Sequence, residues 1–337
     1  MSLMLRLCSI AVFLAIVNPF EAHGQWVWSP ETGRFINLKR LPKETPELQI
    51  EYARTLLLQG QFRDALDETN KFADYYGDSE LADENQFIRG EIELGQEDFL
   101  RAAKEFQQVI DSYPESDRFP DVITQQYSIG DTLFEKGKLN MEGRSDRPWY
   151  GIRWRPWGKR PFKRAIEVYT MVKNNQPFTP EAAQAQYKIG LCHYTREEYI
   201  DAALEYRLVV EQYPTSNYVK DASYGLVQCY DESSLGPDYD QSPSRLAMNA
   251  IDEYSVRFPD DERKEELTAV KQEKFENIAE QRFRTARFYE KRRQYSSARI
   301  YYELLAADFQ GTVAAGKAQE WLAEHPEGTM RSGILFR

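Results

Sequence analysis

The chain has 337 residues, 42% of them hydrophobic, 13% aromatic and 29% charged, with a net charge of −11. That apolar share is enough for a packed core and excludes a disordered chain. The acidity argues against a general nucleic-acid binder, whose footprint is basic.

Residues 1–24 form the first element. Arg6 supplies a short positive region, Leu7 to Val17 is an apolar run, and Ala22-His23-Gly24 offers small residues before Gln25. This three-part layout predicts a secretory signal peptide, too short for a spanning helix. Cys8 opens the apolar run behind bulky Arg6-Leu7, so lipidation there is not expected. The expectation is an exported product in the periplasm or cell envelope. Residues 25–45 follow, with Trp26, Trp28 and a Ser29-Pro30-Glu31-Thr32-Gly33 turn. They read either as a cap on the first repeat or as a tether.

From 46 to 325 one spacing recurs: an Ala, an aromatic or Ile four residues on, and a Pro eight beyond. The instances are Ala102–Phe106–Pro114, Ala165–Tyr169–Pro177, Ala202–Tyr206–Pro214 and Ala247–Ile251–Pro259. Ala65–Thr69 and Ala298–Tyr302 are partial copies ending at Gly77 and Gln310. This is half of a tetratricopeptide repeat (TPR), a helix–turn–helix unit of about 34 residues. A second column of small residues, Ala53, Gly90, Gly130, Gly190, Gly225 and Ala286, marks where the two helices of each unit approach, and enlarging it would overpack the contact. The proline ends the second helix. The predicted fold is all-α, a right-handed alpha-solenoid of about six tetratricopeptide helix–turn–helix repeats over 46–325, followed by a tail at 326–337. A polar loop is expected at 231–244. The first helix of repeat 6 is expected to run from about Asp260 to Arg293, with acidic residues at its start and basic ones at its end, as the helix dipole favours.

A solenoid of this kind holds other proteins, and its first helices line the concave face. The columns that point into that face place Phe87, Tyr127, Phe134, Tyr187 and Tyr194 along the middle repeats. Aromatic anchors are favoured at interfaces, so these five are the predicted partner-binding ladder. The alternative, that curvature buries some of them as plain core, stands beside it.

Repeat 3 is interrupted at 138–161. From Lys138 to Arg164 nine basic residues face only Glu142 and Asp146, a local charge of +7, so the rest of the chain carries −18. Trp149, Arg153, Trp154, Arg155 and Trp157 alternate at its centre, between prolines and glycines that exclude a regular helix. The segment suits an anionic membrane surface, a partner protein, or the acidic solenoid itself through cation–π stacking.

No catalytic, metal or cofactor site is expected. Beyond the signal the histidines are His193 and His325, with no metal spacing, nucleophile elbow or phosphate loop. Cys192 and Cys229 fall in first helices of adjacent repeats and read as small buried hydrophobes, with a disulfide as the alternative. Nucleic acid is not an expected partner.

The stretches Asp240-Gln-Ser-Pro-Ser-Arg-Leu-Ala-Met-Asn-Ala-Ile-Asp-Glu-Tyr-Ser-Val-Arg-Phe-Pro259 and Ala286-Arg-Phe-Tyr-Glu-Lys-Arg-Arg-Gln-Tyr-Ser-Ser-Ala298 resemble the BamD-type lipoproteins of the outer-membrane β-barrel assembly machinery, and Ala102 to Pro114 looks like an earlier repeat of the same kind. The resemblance implies a periplasmic all-α scaffold that contacts outer-membrane assembly components and unfolded barrel clients. The chain departs from that family in four ways: no lipid-bearing Cys follows the signal, there are six repeats rather than five, Arg292-Arg293 stands where Arg-Gly is usual, and the Trp/Arg insertion is added. A soluble periplasmic adaptor for envelope or division machinery is the second expectation.

Overall fold

The structure is a computed structural model that describes residues 26–29, 34–37, 41–142 and 160–326. It begins with a hairpin: β1 (Trp26–Ser29) pairs antiparallel with β2 (Arg34–Asn37), Trp28 opposite Phe35. In the sequence only the turn stands out here, because four-residue strands leave too short an alternation to register. Thirteen helices follow among the described residues. They are α1 (Pro46–Leu58), α2 (Phe62–Tyr76), α3 (Ala82–Gly95), α4 (Phe99–Ser112), α5 (Phe119–Glu142), α6 (Arg160–Asn175), α7 (Pro180–Thr195), α8 (Tyr199–Gln212), α9 (Val219–Glu232), α10 (Ser242–Arg257), α11 (Lys264–Lys291), α12 (Tyr295–Asp308) and α13 (Val313–Glu324). The chain divides into two compact units, residues 1–85 and 86–337. In the second, each helix from α5 to α13 packs on the next in sequence. Pairing α1 with α2, α3 with α4, and so on to α11 with α12 gives the six tetratricopeptide units of an α-solenoid fold; α13 follows as a single helix packed on α11 and α12.

Local chemistry sets the helix ends. Pro46 and Pro180 stand at first helical positions, behind Thr45 and Thr179, whose hydroxyls accept from Leu48 N and Ala182 N. Helices α4, α6, α8 and α10 each stop two residues before Pro114, Pro177, Pro214 and Pro259, because the residue before proline is pushed out of the helical region. A column unnoticed in the sequence lies two residues after the proline, or after its substitutes Gly77 and Gln310: Ser79, Ser116, Thr179, Ser216, Asp261 and Thr312. In each repeat its side-chain oxygen accepts a backbone N–H at the next helix start. Within four of the six repeats the turn also recurs, while repeats 3 and 5 stay helical at that position. Gly60, Glu97, Glu197 and Arg293 all stand seven residues after the small column, and all have φ between 60° and 71°. Three of them hold a left-handed backbone without being glycine, at a cost of about 1 kcal/mol each.

The small column is the packing key. A Cβ on Gly190 would lie 2.7 Å from the Tyr206 ring, and one on Gly225 would meet the same ring at 2.7 Å from the next repeat. Tyr206 is thus held between α7 and α9. Phe106 and Tyr169 approach Gly90 and Gly130 in the same way. A polar clamp reinforces the contact: Gln49, Gln86 and Gln186 each donate through Nε2 to a second-helix carbonyl nineteen residues on, at Glu68, Glu105 and Glu205.

Helix α11 is longer than its neighbours but spans Lys264–Lys291 rather than the expected 260–293; Asp260, Asp261 and Glu262 stand in the preceding turn, and Glu265 and Glu266 are the acidic residues of its first turn. Its first half packs Leu267 against Ile251 and Tyr254, and its second half packs Ala279 and Ala286 against Tyr302 and Trp321 of α12 and α13. Between them Lys274 is buried and ion-paired with Asp231. The expected loop at 231–244 narrows to 233–241, since α9 runs to Glu232 and α10 starts at Ser242; Gln281 donates to the Tyr239 carbonyl at 3.3 Å and Arg284 pairs with Asp238, so this loop is fastened to α11. Cys192 and Cys229 are free thiols in the core, each pushed up to about 12 by burial. Among the described residues no helix is long and apolar enough to cross a membrane.

Candidate protein-interaction groove

Helix α5 has 24 residues, where α3, α4, α8 and α9 have 14. No proline or glycine pair stops it after its contact with α6, so it runs about 36 Å in all. Along it Ile123, Tyr127, Asp131, Glu135 and Leu139 recur every four residues, a stripe that winds about 40° around the helix at each step. That stripe and the start of α7 enclose an open groove of about 730 Å³. Glu181 and Gln184 form the α7 side, while Leu139, 65% exposed, stands at the far end. Thr124 and Thr132 turn their hydroxyls back to the carbonyls of Pro120 and Ser128, so they present methyl groups more than donors. A second, more polar cleft of about 430 Å³ lies on the other side of Leu139, between α5, Phe99 and the start of α6.

The floor is fixed by Asp131. Its Oδ1 accepts from the Tyr169 hydroxyl at 2.5 Å and pairs with Lys188 Nζ at 2.9 Å. Burial, aided by that hydrogen bond, pushes the Tyr169 phenol far above its ordinary range. Tyr127 packs its ring on Tyr169 at 5.6 Å. Its hydroxyl oxygen is buried with no hydrogen-bond partner among the described residues, and burial with the Asp131 charge raises its pKa. The rim is acidic: Glu135 and Glu181 stand beside Asp131, against Lys136, which is engaged by Glu97 at 3.0 Å.

The structure redistributes the predicted ladder. All five aromatics face a ring of their own repeat's second helix: Phe87 on Phe106, Tyr127 on Tyr169, Phe134 on Phe162, Tyr187 on Tyr206 and Tyr194 on Tyr199, at 5.0 to 5.6 Å. Phe87 and Phe134, 4% and 5% exposed, are core side chains and not groove anchors. Tyr187 and Tyr194 keep an exposed edge, and of the five only Tyr127 lines the groove. The two columns that point into the concave face do not reach the acidic rim, because Glu135, Glu181 and Leu139 lie outside both. The insertion residues Trp149, Arg153, Trp154, Arg155 and Trp157 lie outside the described residues. The described part of that region ends at Glu142 and resumes at Arg160, beside the polar cleft.

Among the described residues one group of metal-type donors lies at the α7–α8 turn, where His193, Glu198 and Asp201 come within 4.8 Å of one another. His193 Nδ1 is 2.9 Å from one Glu198 oxygen and Arg196 is 2.6 Å from the other. The guanidinium already supplies the positive charge that this carboxylate needs.

The sequence matches the family described as YfiO, outer membrane lipoprotein, over residues 155–327, and a tetratricopeptide repeat over residues 84–116. No curated protein matches it. Similar solved structures include a thermophilic TPR protein of Thermus thermophilus, 11% identical, covering 67% of this chain and 98% of that one at a TM-score of 0.32. A tetratricopeptide repeat protein of Parabacteroides merdae is 12% identical over 82% of this chain and 97% of that one, with a TM-score of 0.31. The C-terminal part of a repeat protein from Cytophaga hutchinsonii is 14% identical over 80% and 98%, with a TM-score of 0.23.

Proposed function

The chain belongs to the YfiO outer membrane lipoprotein family, and on that premise we propose that it is a periplasmic scaffold for outer-membrane β-barrel protein assembly. The coarser part is plain: tetratricopeptide arrays and this family bind other proteins, and the chain is a helical-repeat interaction scaffold. The observation that carries the finer reading is the reach of the family match, which runs from the insertion through α13 and so spans most of the second unit. Its supports are the signal-like N-terminus and the groove of α5, a concave surface with apolar and charged sides of the sort that holds a peptide segment. The partners are assembly components or unfolded barrel clients, and the Trp149–Trp157 insertion is a second contact, made to the same partners or to an anionic membrane surface.

Affinity capture from the native envelope tests this, with the full chain and with a chain in which residues 144–158 are replaced by a short Gly-Ser linker. Recovery of a β-barrel assembly protein supports the reading. Recovery of peptidoglycan or division proteins in its place transfers the chain to the adaptor alternative. Salt-dependent binding to vesicles of anionic lipid, lost in the linker variant, assigns the insertion to the membrane rather than to a protein.

A further inference from the structure

The groove between α5 and α7 has an apolar face, an acidic rim and an unused hydroxyl on its floor. We infer that it seats a partner segment with aliphatic or aromatic anchors every four residues and Lys or Arg on its flanks. The inference rests on the scaffold reading above and names the chemistry of what that scaffold takes.

Three observations point the same way. The first is shape: Ile123, Tyr127 and Leu139 line one open groove and rise over about 24 Å of α5, winding about 40° around it at each i, i+4 step, the length of about four helical turns of a partner that crosses it. The second is charge. Among the described residues Asp131, Glu135 and Glu181 surround the groove, Lys188 pairs with Asp131, and the lining Lys136 is held aside by Glu97. Asp131 keeps one oxygen clear of its bonds to Tyr169 and Lys188. Glu181 has no ion-pair partner among the described residues and Glu135 meets only the exposed Lys138 at 3.2 Å. A basic flank is complementary, and an acidic one is repelled. The third is the Tyr127 hydroxyl, buried without a partner. Buried polar groups are nearly always paired, so an acceptor brought by the bound segment completes it.

The test uses the full mature chain and a synthetic 16-residue peptide with Leu at i, i+4 positions and Lys on both flanks. Its twin has Glu in place of every Lys. By calorimetry the Lys peptide binds about tenfold or more tightly than the Glu twin, and rising salt weakens it. The Glu135→Lys/Glu181→Lys variant loses that preference, and Tyr127→Phe, which keeps the ring, weakens binding about threefold to tenfold. If the double reversal melts below the parent, Glu135→Gln/Glu181→Gln replaces it and must halve the preference or more. Equal binding of the two peptides, or unchanged binding by the double variant, overturns the inference. So does Lys-peptide binding that emerges only when residues 144–158 are replaced, which hands the groove to this chain's own insertion. A concentration-dependent dimer abolished by the same reversal overturns it in favour of a second copy. Barrel-assembly protein captured equally by parent and reversal variant leaves the scaffold reading standing without the groove. Groove-dependent peptide binding with no such protein captured leaves the reverse.

Discussion

In α5–α6 the ring of Tyr169 fills the space beside Gly130, and in α7–α8 Tyr206 does the same beside Gly190, with hypothetical Cβ contacts of 2.6 and 2.7 Å. The two repeats share that register and little else. Helix α7 ends after 16 residues in a turn held by Glu197 at φ 64°. Helix α5 keeps going, and its connection to α6 becomes the basic insertion. The small-residue and aromatic pair fixes how the helices meet, which leaves helix length and loop content free to vary. In this protein the variation falls where α5 lines the open groove.

The comparison can be broken at its centre. Tyr206→Ala and Tyr169→Ala each remove a fully buried ring and should cost about 3–5 kcal/mol in urea unfolding. A large loss in one and a small loss in the other would show that the two repeats do not share one packing contact. Tyr169→Phe isolates what is particular to repeat 3. It removes the hydrogen bond to Asp131, whose side chain is 42% exposed, so the discounted cost is about 1 kcal/mol.

The turns give a gain of smaller size. Arg293→Gly relieves a left-handed residue at φ 60° and should stabilise by about 0.5–1 kcal/mol, with Gly60 as the natural precedent in repeat 1. No change, or a loss, would mean that Arg293 has contacts that outweigh its backbone.

The two remaining predictions are read as reactivity and pH dependence. Cys192 and Cys229, buried and held to about 12, should not react with a thiol reagent at pH 8 until the chain unfolds; fast labelling of either would contradict the packing of α7 and α9. Asp261 is hydrogen-bonded by Arg263 and Lys220 and held well below the usual carboxylate range. A lowered folded-state pKa gives stability that is present above the unfolded value of about 4 and lost as pH falls toward the folded one. Asp261→Asn should therefore melt below the parent at pH 7, with the gap narrowing steadily as pH falls below about 5. A gap as wide at pH 2 as at pH 7 would point to packing rather than charge.

The repeats were legible in the sequence because their contact uses residues that stand out, a Gly or Ala facing an Ala-x3-aromatic pair, and the proline marks the boundary. The capping column and the Gln clamp carry the same period, but Ser, Thr and Gln are common enough on helices to hide it. Helix α13 was not singled out because Ala314, Ala318 and Trp321 form a cap without the repeat's spacing. The groove was half legible. Tyr127 could be placed by the frame, but Phe87 and Phe134 occupy equivalent columns and are core, because burial depends on how far the neighbouring helix extends. Glu135, Glu181 and Leu139 form a rim only because α5 outruns α6, a length that no single repeat predicts.

The account turns on whether repeat 3 is the contact surface of an envelope assembly scaffold. A photo-crosslinking residue placed at Ser128 in the groove, and separately at Leu204 on the exposed side of α8, tests this in native envelopes. The account predicts a crosslink to a β-barrel assembly protein from Ser128, lost in the Glu135→Lys/Glu181→Lys background, and none from Leu204. Crosslinks to a division or peptidoglycan protein from Ser128, or equal crosslinking from both positions, would contradict it.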